Sequence, residues 1–260
     1  MSGHVEEVIE KTPIQSNKVS LNSDIESFSD IEINIDEDDE DKDGNENNNG
    51  KIVQSNNSDD FISTGSEIGS NTYYGAFAAG SITTGINNTA IGFQALLSTT
   101  SGDDNVALGY RSLFSNTSGD SNTASGYATM FNNTTGSLNA AYGYAALYSN
   151  QTGSKNAAFG AYSLFNNTIG ENNAAFGYKA LFSNTTGSEN TASGYRSLYS
   201  NTTGNGNVAS GYQALTNNTT GSYNTASGYY ALKNNTTGAY NAAVGPYALN
   251  NNTSGDALVG

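Results

Sequence analysis

Hydrophobic and polar positions along this chain repeat with one period. Glycines stand at 92, 109, 126, 143, 160, 177, 194, 211, 228 and 245, every interval being 17 residues. Four residues after each comes a leucine, as at Leu113 and Leu147, with Met130 the one exception. A second glycine follows the first by ten residues, from Gly102 to Gly255. Asparagines recur three residues beyond a second glycine, at Asn88, Asn105, Asn122, Asn139 and on to Asn241, and alanines two residues further, from Ala90 to Ala243. A less regular unit opens at Gly75, with Ala79 in the leucine position. Counting the opening glycine as position 1, an aromatic ring stands at position 2 and leucine at 5. A second aromatic stands at 6, Asn-Thr-Thr-Gly fills 8 to 11, asparagine holds 14 and alanine 16.

A unit this short cannot enclose a core by itself, so identical units must stack and bury like on like. The Asn-Thr-Thr-Gly segment, as in Asn184 to Gly187, is turn chemistry, because Asn and Gly tolerate positive φ and Asn and Thr side chains bond nearby backbone. Asn190 to Gly194 is short, small and partly β-branched, which predicts a strand with close backbone approach at the glycine. Tyr195, Leu198 and Tyr199 fall at i, i+3 and i+4, so that stretch suits either one helical turn or a stacked β-coil. Position 3, with Arg111, Lys179 and Arg196, and position 12, with Asp103, Ser154 and Glu171, vary in charge and read as solvated. Stacked position-14 asparagines form a side-chain ladder, read either as hydrogen-bonded structure or as a polar ligand-binding rank. The expected fold is all-β, a parallel β-solenoid or β-roll over residues 75–260. At strand spacing of roughly 4.8 Å, about ten coils make a rod of about 48 Å.

The run Asn88-Thr-Ala-Ile-Gly92, and more closely Asn105-Val-Ala-Leu-Gly109, resembles the head repeats of trimeric autotransporter adhesins, whose recurrent core reads Asn-Ser-Val-Ala-Ile-Gly. The resemblance covers roughly residues 71–260. It implies a left-handed parallel β-roll, three chains side by side, and attachment to a host-surface protein or glycan. This repeat departs from that pattern by carrying an added Asn-Thr-Thr-Gly turn, and no coiled-coil stalk or membrane-anchoring barrel is visible. Similar repeats suit the fibre of a phage or a large eukaryotic virus, a particle assembled inside its host.

Charge divides the chain differently. Seventeen of the 24 acidic residues and four of the nine basic ones fall in residues 1–60, so nearly all of the net charge of −15 sits there. That segment is poor in aromatics and reads as a disordered acidic arm, joined through a transition at 61–74 to the repeats. Within it, Val5 to Lys11 suits a helical turn or two, and Ile31, Ile33 and Ile35 alternate as a short strand does. The five basic residues of the remainder are too scattered to neutralise a row of phosphates, which argues against nucleic acid. No run approaches the ~20 apolar residues of a membrane span. The amino terminus lacks a basic region followed by an apolar run, so no ordinary secretory signal is visible. Absent cysteines exclude disulfides and thiolate chemistry.

Little remains for catalysis, and no enzyme and no cofactor are expected. His4 is the only histidine and lies in the arm. Asp103 and Asp104 form a carboxylate pair in a variable turn. Asp39, Asp41, Asp43 and Gly44 match the start of a calcium loop, yet Gly50 stands at its twelfth position, so a solvated acidic run competes with a weak metal site. Sequons at Asn116, Asn133, Asn150, Asn184, Asn201 and Asn235 are either glycan acceptors or by-products of the turn. The aromatic rank Phe93, Tyr110, Tyr127, Tyr144, Tyr178, Tyr195, Tyr212 and Tyr229, broken only at Ala161 and Pro246, either stacks on sugars or packs between coils or chains. The leading function is a non-enzymatic structural or adhesive fibre module, homotrimeric, at a cell, extracellular or virion surface. The alternative is a monomeric ice- or carbohydrate-binding solenoid, motivated by the threonines at 117, 134, 185, 202, 219 and 236. After Gly255 the unit reads two residues short, and its end is expected to meet a partner.

Overall fold

The computed structural model describes residues 52–54, 61–63 and 70–260, all within the unit Ile35–Gly260. The calcium candidate Asp39, Asp41 and Asp43, His4 and most of the acidic arm lie outside the described residues. β1 (Ile52–Gln54), at the end of the arm's assigned span, pairs antiparallel with β2 (Phe61–Ser63) in the transition. Among the described residues no helix is long and apolar enough to cross a membrane.

The repeats form an 11-stranded parallel sheet with one three-residue strand per coil. These strands are β3 (Thr72–Tyr74), β4 (Thr89–Ile91), β5 (Val106–Leu108), β6 (Thr123–Ser125), β7 (Ala140–Tyr142) and β8 (Ala157–Phe159). They continue as β9 (Ala174–Phe176), β10 (Thr191–Ser193), β11 (Val208–Ser210), β12 (Thr225–Ser227) and β13 (Ala242–Val244). Strands neighbouring in sequence neighbour in space, and each residue pairs with its equivalent in the next coil, as Ala124 does with Ala107 and Ala141. The central alanine of β4 to β13 points inward and is fully buried, while its two neighbours face outward. Alternation therefore turns position 16 into the core, where alanine packs beside the leucine rank and Tyr73 takes the same place in β3.

Inside, Leu113, Met130, Leu147 and their equivalents stack as one buried rank beside the strand alanines. Burying a leucine is worth roughly 2 kcal/mol, so this rank gives each coil its main apolar contribution. Glycine closes the corner after each strand because nothing else fits. At Gly126 φ is +137° and an added Cβ would stand 2.3 Å from the carbonyl oxygen of Gly143 in the next coil. The second glycine has another cause. Gly136 has no positive φ, but its Cβ would meet the Gly153 carbonyl at 2.4 Å. Close approach between coils, rather than the positive φ expected of the Asn-Thr-Thr-Gly turn, requires glycine there.

The helical alternative for Tyr195 to Tyr199 does not hold. Arg196 and Leu198 have φ of +52° and +49°, alternating with neighbours on the ordinary side of the map. The Leu198 and Ser200 amides donate to Ala214 and Thr216 in the following coil, not back along a helix. Leu198 is buried, whereas Tyr195 stays on the surface. Positions 3, 5 and 13 adopt this left-handed conformation in coil after coil, at Arg111, Leu113 and Asp104 for example. Each such residue costs on the order of 1 kcal/mol, offset by bonds to both neighbouring coils.

The last unit is also in register. Ala242 bridges Val259, the Val244 amide donates to Gly260 O at 2.8 Å, and Leu258 N donates to Asn241 Oδ1 at 2.9 Å. Leu258 thus takes the asparagine position and Gly260 the strand alanine's, so no position is skipped between Gly255 and Gly260, and Gly260 is not an opening glycine.

Candidate functional site

Two asparagine ladders run through the solenoid. In the expected one, at position 14, Asn139 Nδ2 donates to Asn122 Oδ1 at 3.1 Å and to Gly153 O at 2.9 Å. Its own Oδ1 accepts from the backbone N and Nδ2 of Asn156, at 2.9 and 3.2 Å. The same set joins Asn105 to Asn88 and Asn122 to Asn105. Every hydrogen and the oxygen of these buried amides are committed to neighbouring coils, which leaves nothing to offer a ligand.

The second ladder, at position 8, was not legible as one. Asn133 Nδ2 donates to Asn116 Oδ1 and to Gly136 O, at 2.8 and 2.9 Å, and the pattern runs through Asn150, Asn167 and Asn184 to Asn252. All six asparagines named as sequons belong to it and are fully buried. A glycan on any of them is incompatible with the folded coil.

Position 12, read as variable, makes a recurring bond between coils without being uniform, since Glu171 and Ala239 also stand there. Asp103 Oδ1 accepts the Ile86 amide and Asp120 Oδ1 the Asp103 amide, at 2.8 and 2.9 Å; Ser137 Oγ accepts the Asp120 amide at 3.0 Å. Short acceptors of either charge state satisfy it, which is why Asp, Ser and Asn interchange. Asp104 accepts from Asn87 Nδ2, so the carboxylate pair of this turn is spent on structure. The threonine rank does similar work, with Thr117 Oγ1 donating to Thr134 O and Thr185 Oγ1 to Thr202 O, each at 3.0 Å.

Two long aromatic ranks lie on the surface, beside shorter stacks at Tyr142, Phe159 and Phe176 and at Tyr223 and Tyr240. At position 2, Tyr110, Tyr127 and Tyr144 stack at 4.9 Å within 8° of parallel, and Tyr178, Tyr195, Tyr212 and Tyr229 stack at 5.1 to 5.5 Å. At position 6, Phe114, Phe131, Tyr148, Phe165, Phe182 and Tyr199 stack at 4.8 to 5.3 Å. Rings at these separations take up part of one another's faces, so packing between coils accounts for the regularity. Where the first rank fails, position 3 replaces it. Tyr162 beside Ala161 meets Tyr144 edge-on at 5.2 Å, and Tyr247 beside Pro246 meets Tyr229 at 5.5 Å. The Tyr229 hydroxyl, bonded to that of Tyr230, is pushed up to about 12.

Position 3 otherwise projects into the trough between the ranks. Arg111, Lys179 and Arg196 each lie against the position-2 and position-6 rings of their own coil. Ala128 and Ala145 leave the trough open, as a groove of about 330 Å³ walled by Tyr127, Tyr144, Phe131 and Tyr148 and ended by Arg111 and Tyr162.

The outward face of the sheet is the other unusual surface. None of the outward residues of β3 to β13 is charged. Ile91, Tyr142, Phe159, Phe176 and Val208 are all more than a third exposed on it.

Comparison with known protein families, with curated proteins and with solved structures gives no match.

Proposed function

We propose that this chain is a non-enzymatic structural and adhesive fibre module whose solenoids associate side by side as a homotrimer, displayed at a cell, extracellular or virion surface. The observation that carries the reading is the uncharged outward face of the 11-stranded parallel sheet. Parallel sheets are found with both faces covered. Here alanines and leucines cover the inner face, while the outer one presents Ile91, Tyr142, Phe159, Phe176 and Val208 to solvent in a single chain. Of these, Tyr142, Phe159 and Phe176 neighbour one another on three consecutive strands, and exposed apolar surface of this kind marks interaction sites. The resemblance to the head repeats of trimeric adhesins supplies the stoichiometry and the role in attachment. The threonine rank lends no support to ice binding, since its hydroxyls are engaged along the stack.

Absolute mass by light scattering on the full chain tests this reading. Three chains are expected, and a Phe159→Asp/Phe176→Asp variant is expected to run as a monomer with an unchanged circular dichroism spectrum. A wild-type monomer would remove the trimer, and a trimer indifferent to the two aspartates would place the interface elsewhere.

A further inference from the structure

In three coils a cation of the chain itself occupies the trough between the aromatic ranks. Arg111 Cζ lies 5.1 Å from the ring centre of Tyr110 and 5.4 Å from that of Phe114. Lys179 Nζ lies 5.3 Å from both Tyr178 and Phe182. Arg196 Cζ lies 5.5 Å from Tyr195 and 5.1 Å from Tyr199. These separations fall within the roughly 6 Å at which a ring quadrupole attracts a cation. Three coils thus hold a positive head group against two rings without a carboxylate, although Arg111 also donates from Nε to Gln94 Oε1 at 2.7 Å and Lys179 also lies 5.5 Å from the Tyr162 ring.

Two consecutive coils have the rings and lack the cation. Ala128 and Ala145 stop at the floor, 5 % and 4 % exposed, between Tyr127 and Phe131 in one coil and Tyr144 and Tyr148 in the next. Tyr127 and Tyr144 are each 48 % exposed, against 37 %, 41 % and 38 % for Tyr110, Tyr178 and Tyr195, whose coils carry their own cation. We propose that this two-coil gap is a binding site for arginine or lysine side chains presented by a basic polypeptide. The seats of Lys179 and Arg196 lie in adjacent coils, so the fold already holds two cations one coil apart and both open seats can fill together. Arginine is favoured, because its guanidinium is planar, weakly hydrated and stacks on rings. Residues 61–260 carry 7 acidic and 5 basic side chains, so the rings rather than bulk charge supply the attraction at this seat.

The test uses the full chain and an Arg-Gly-Arg-Gly-Arg peptide in about 0.5 M salt, where attraction to the acidic arm is screened over a few ångströms. Ring-proton shifts by nuclear magnetic resonance are expected to move at Tyr127, Phe131, Tyr144 and Tyr148, and a Gln-for-Arg peptide is expected to move none. In an Ala128→Arg/Ala145→Arg variant the introduced guanidiniums take the seats, and binding is expected to weaken about tenfold or more. Undiminished binding by a folded variant overturns the site. So do shifts in the wild-type chain that spread over all the ring ranks, a result independent of whether the variant folds. Saturation by free arginine amide at the peptide's own concentration overturns the polypeptide as occupant.

Discussion

At Asn139 a single side chain ties three coils together, donating to Asn122 and Gly153 and accepting two bonds from Asn156. Removing it orphans a buried backbone amide and one side-chain hydrogen of Asn156, each worth roughly 1 to 3 kcal/mol when unpaired, while the Gly153 carbonyl keeps its bond from Asn150 Nδ2. Asn139→Ala is therefore expected to cost about 3 kcal/mol in denaturant unfolding, whereas Gln213→Ala, at an outward position 3, is expected to change stability by less than about 0.5 kcal/mol. Leu258 shows what survives such a change, since its backbone N still reaches Asn241 Oδ1 although it brings no amide. Tyr229 makes a different prediction. Its folded hydroxyl titrates near 12, against an ordinary value of 10.0, because the bond to Tyr230 holds its proton. Below pH 10 the folded and unfolded chains both keep that proton, and the contribution is whole. Between about pH 10 and 12 only the unfolded chain releases it, so stability falls as pH rises through this window. Tyr229→Phe is expected to show a smaller loss over the same window, measured as the unfolding midpoint against pH.

The coil is the next unit up, and its logic is register. Gly126→Ala places a methyl group against the Gly143 carbonyl and forces a φ of +137° on alanine, which is expected to cost on the order of 3 kcal/mol. Deleting Tyr127–Gly143 as a block joins Gly126 to Tyr144 and restores every ladder, so a cooperative, slightly less stable solenoid is expected. Deleting Ser137 alone displaces Asn139 and the following strand, and is expected to lower stability far more in the same unfolding experiment. The strand at Thr191–Ser193, the close approach at Gly194 and the position-14 ladder were legible because side-chain chemistry and spacing are stated outright in the repeat. The left-handed residues were not. Leu198 and Arg196 carry no local signal for positive φ, and their conformation is fixed by amides that bond to coils 17 residues away. The position-8 ladder stayed hidden for a related reason, since Asn-Thr-Thr-Gly is adequate turn chemistry even where the asparagine faces inward. The open groove at Ala128 and Ala145 became visible only when the cations of other coils were seen between their rings.

For the molecule as a whole, the surfaces divide by function. The two asparagine ladders, the threonine rank and the position-12 acceptors are consumed in holding coil to coil. Among the described residues, the uncharged outer face of the sheet and the two-coil aromatic gap, on separate ranks of the coil, carry the two proposals. The proposed fibre rests on the first of these. It is tested most directly by a nitroxide label at Ser210→Cys, an outward position of β11 in a chain with no other cysteine. If sheets of neighbouring copies face one another, at roughly 10 Å as packed sheets do, the labels must couple strongly by electron spin resonance, and dilution with unlabelled chain must weaken the coupling. Labels that show no coupling at concentrations where the chain is associated would contradict association through this face.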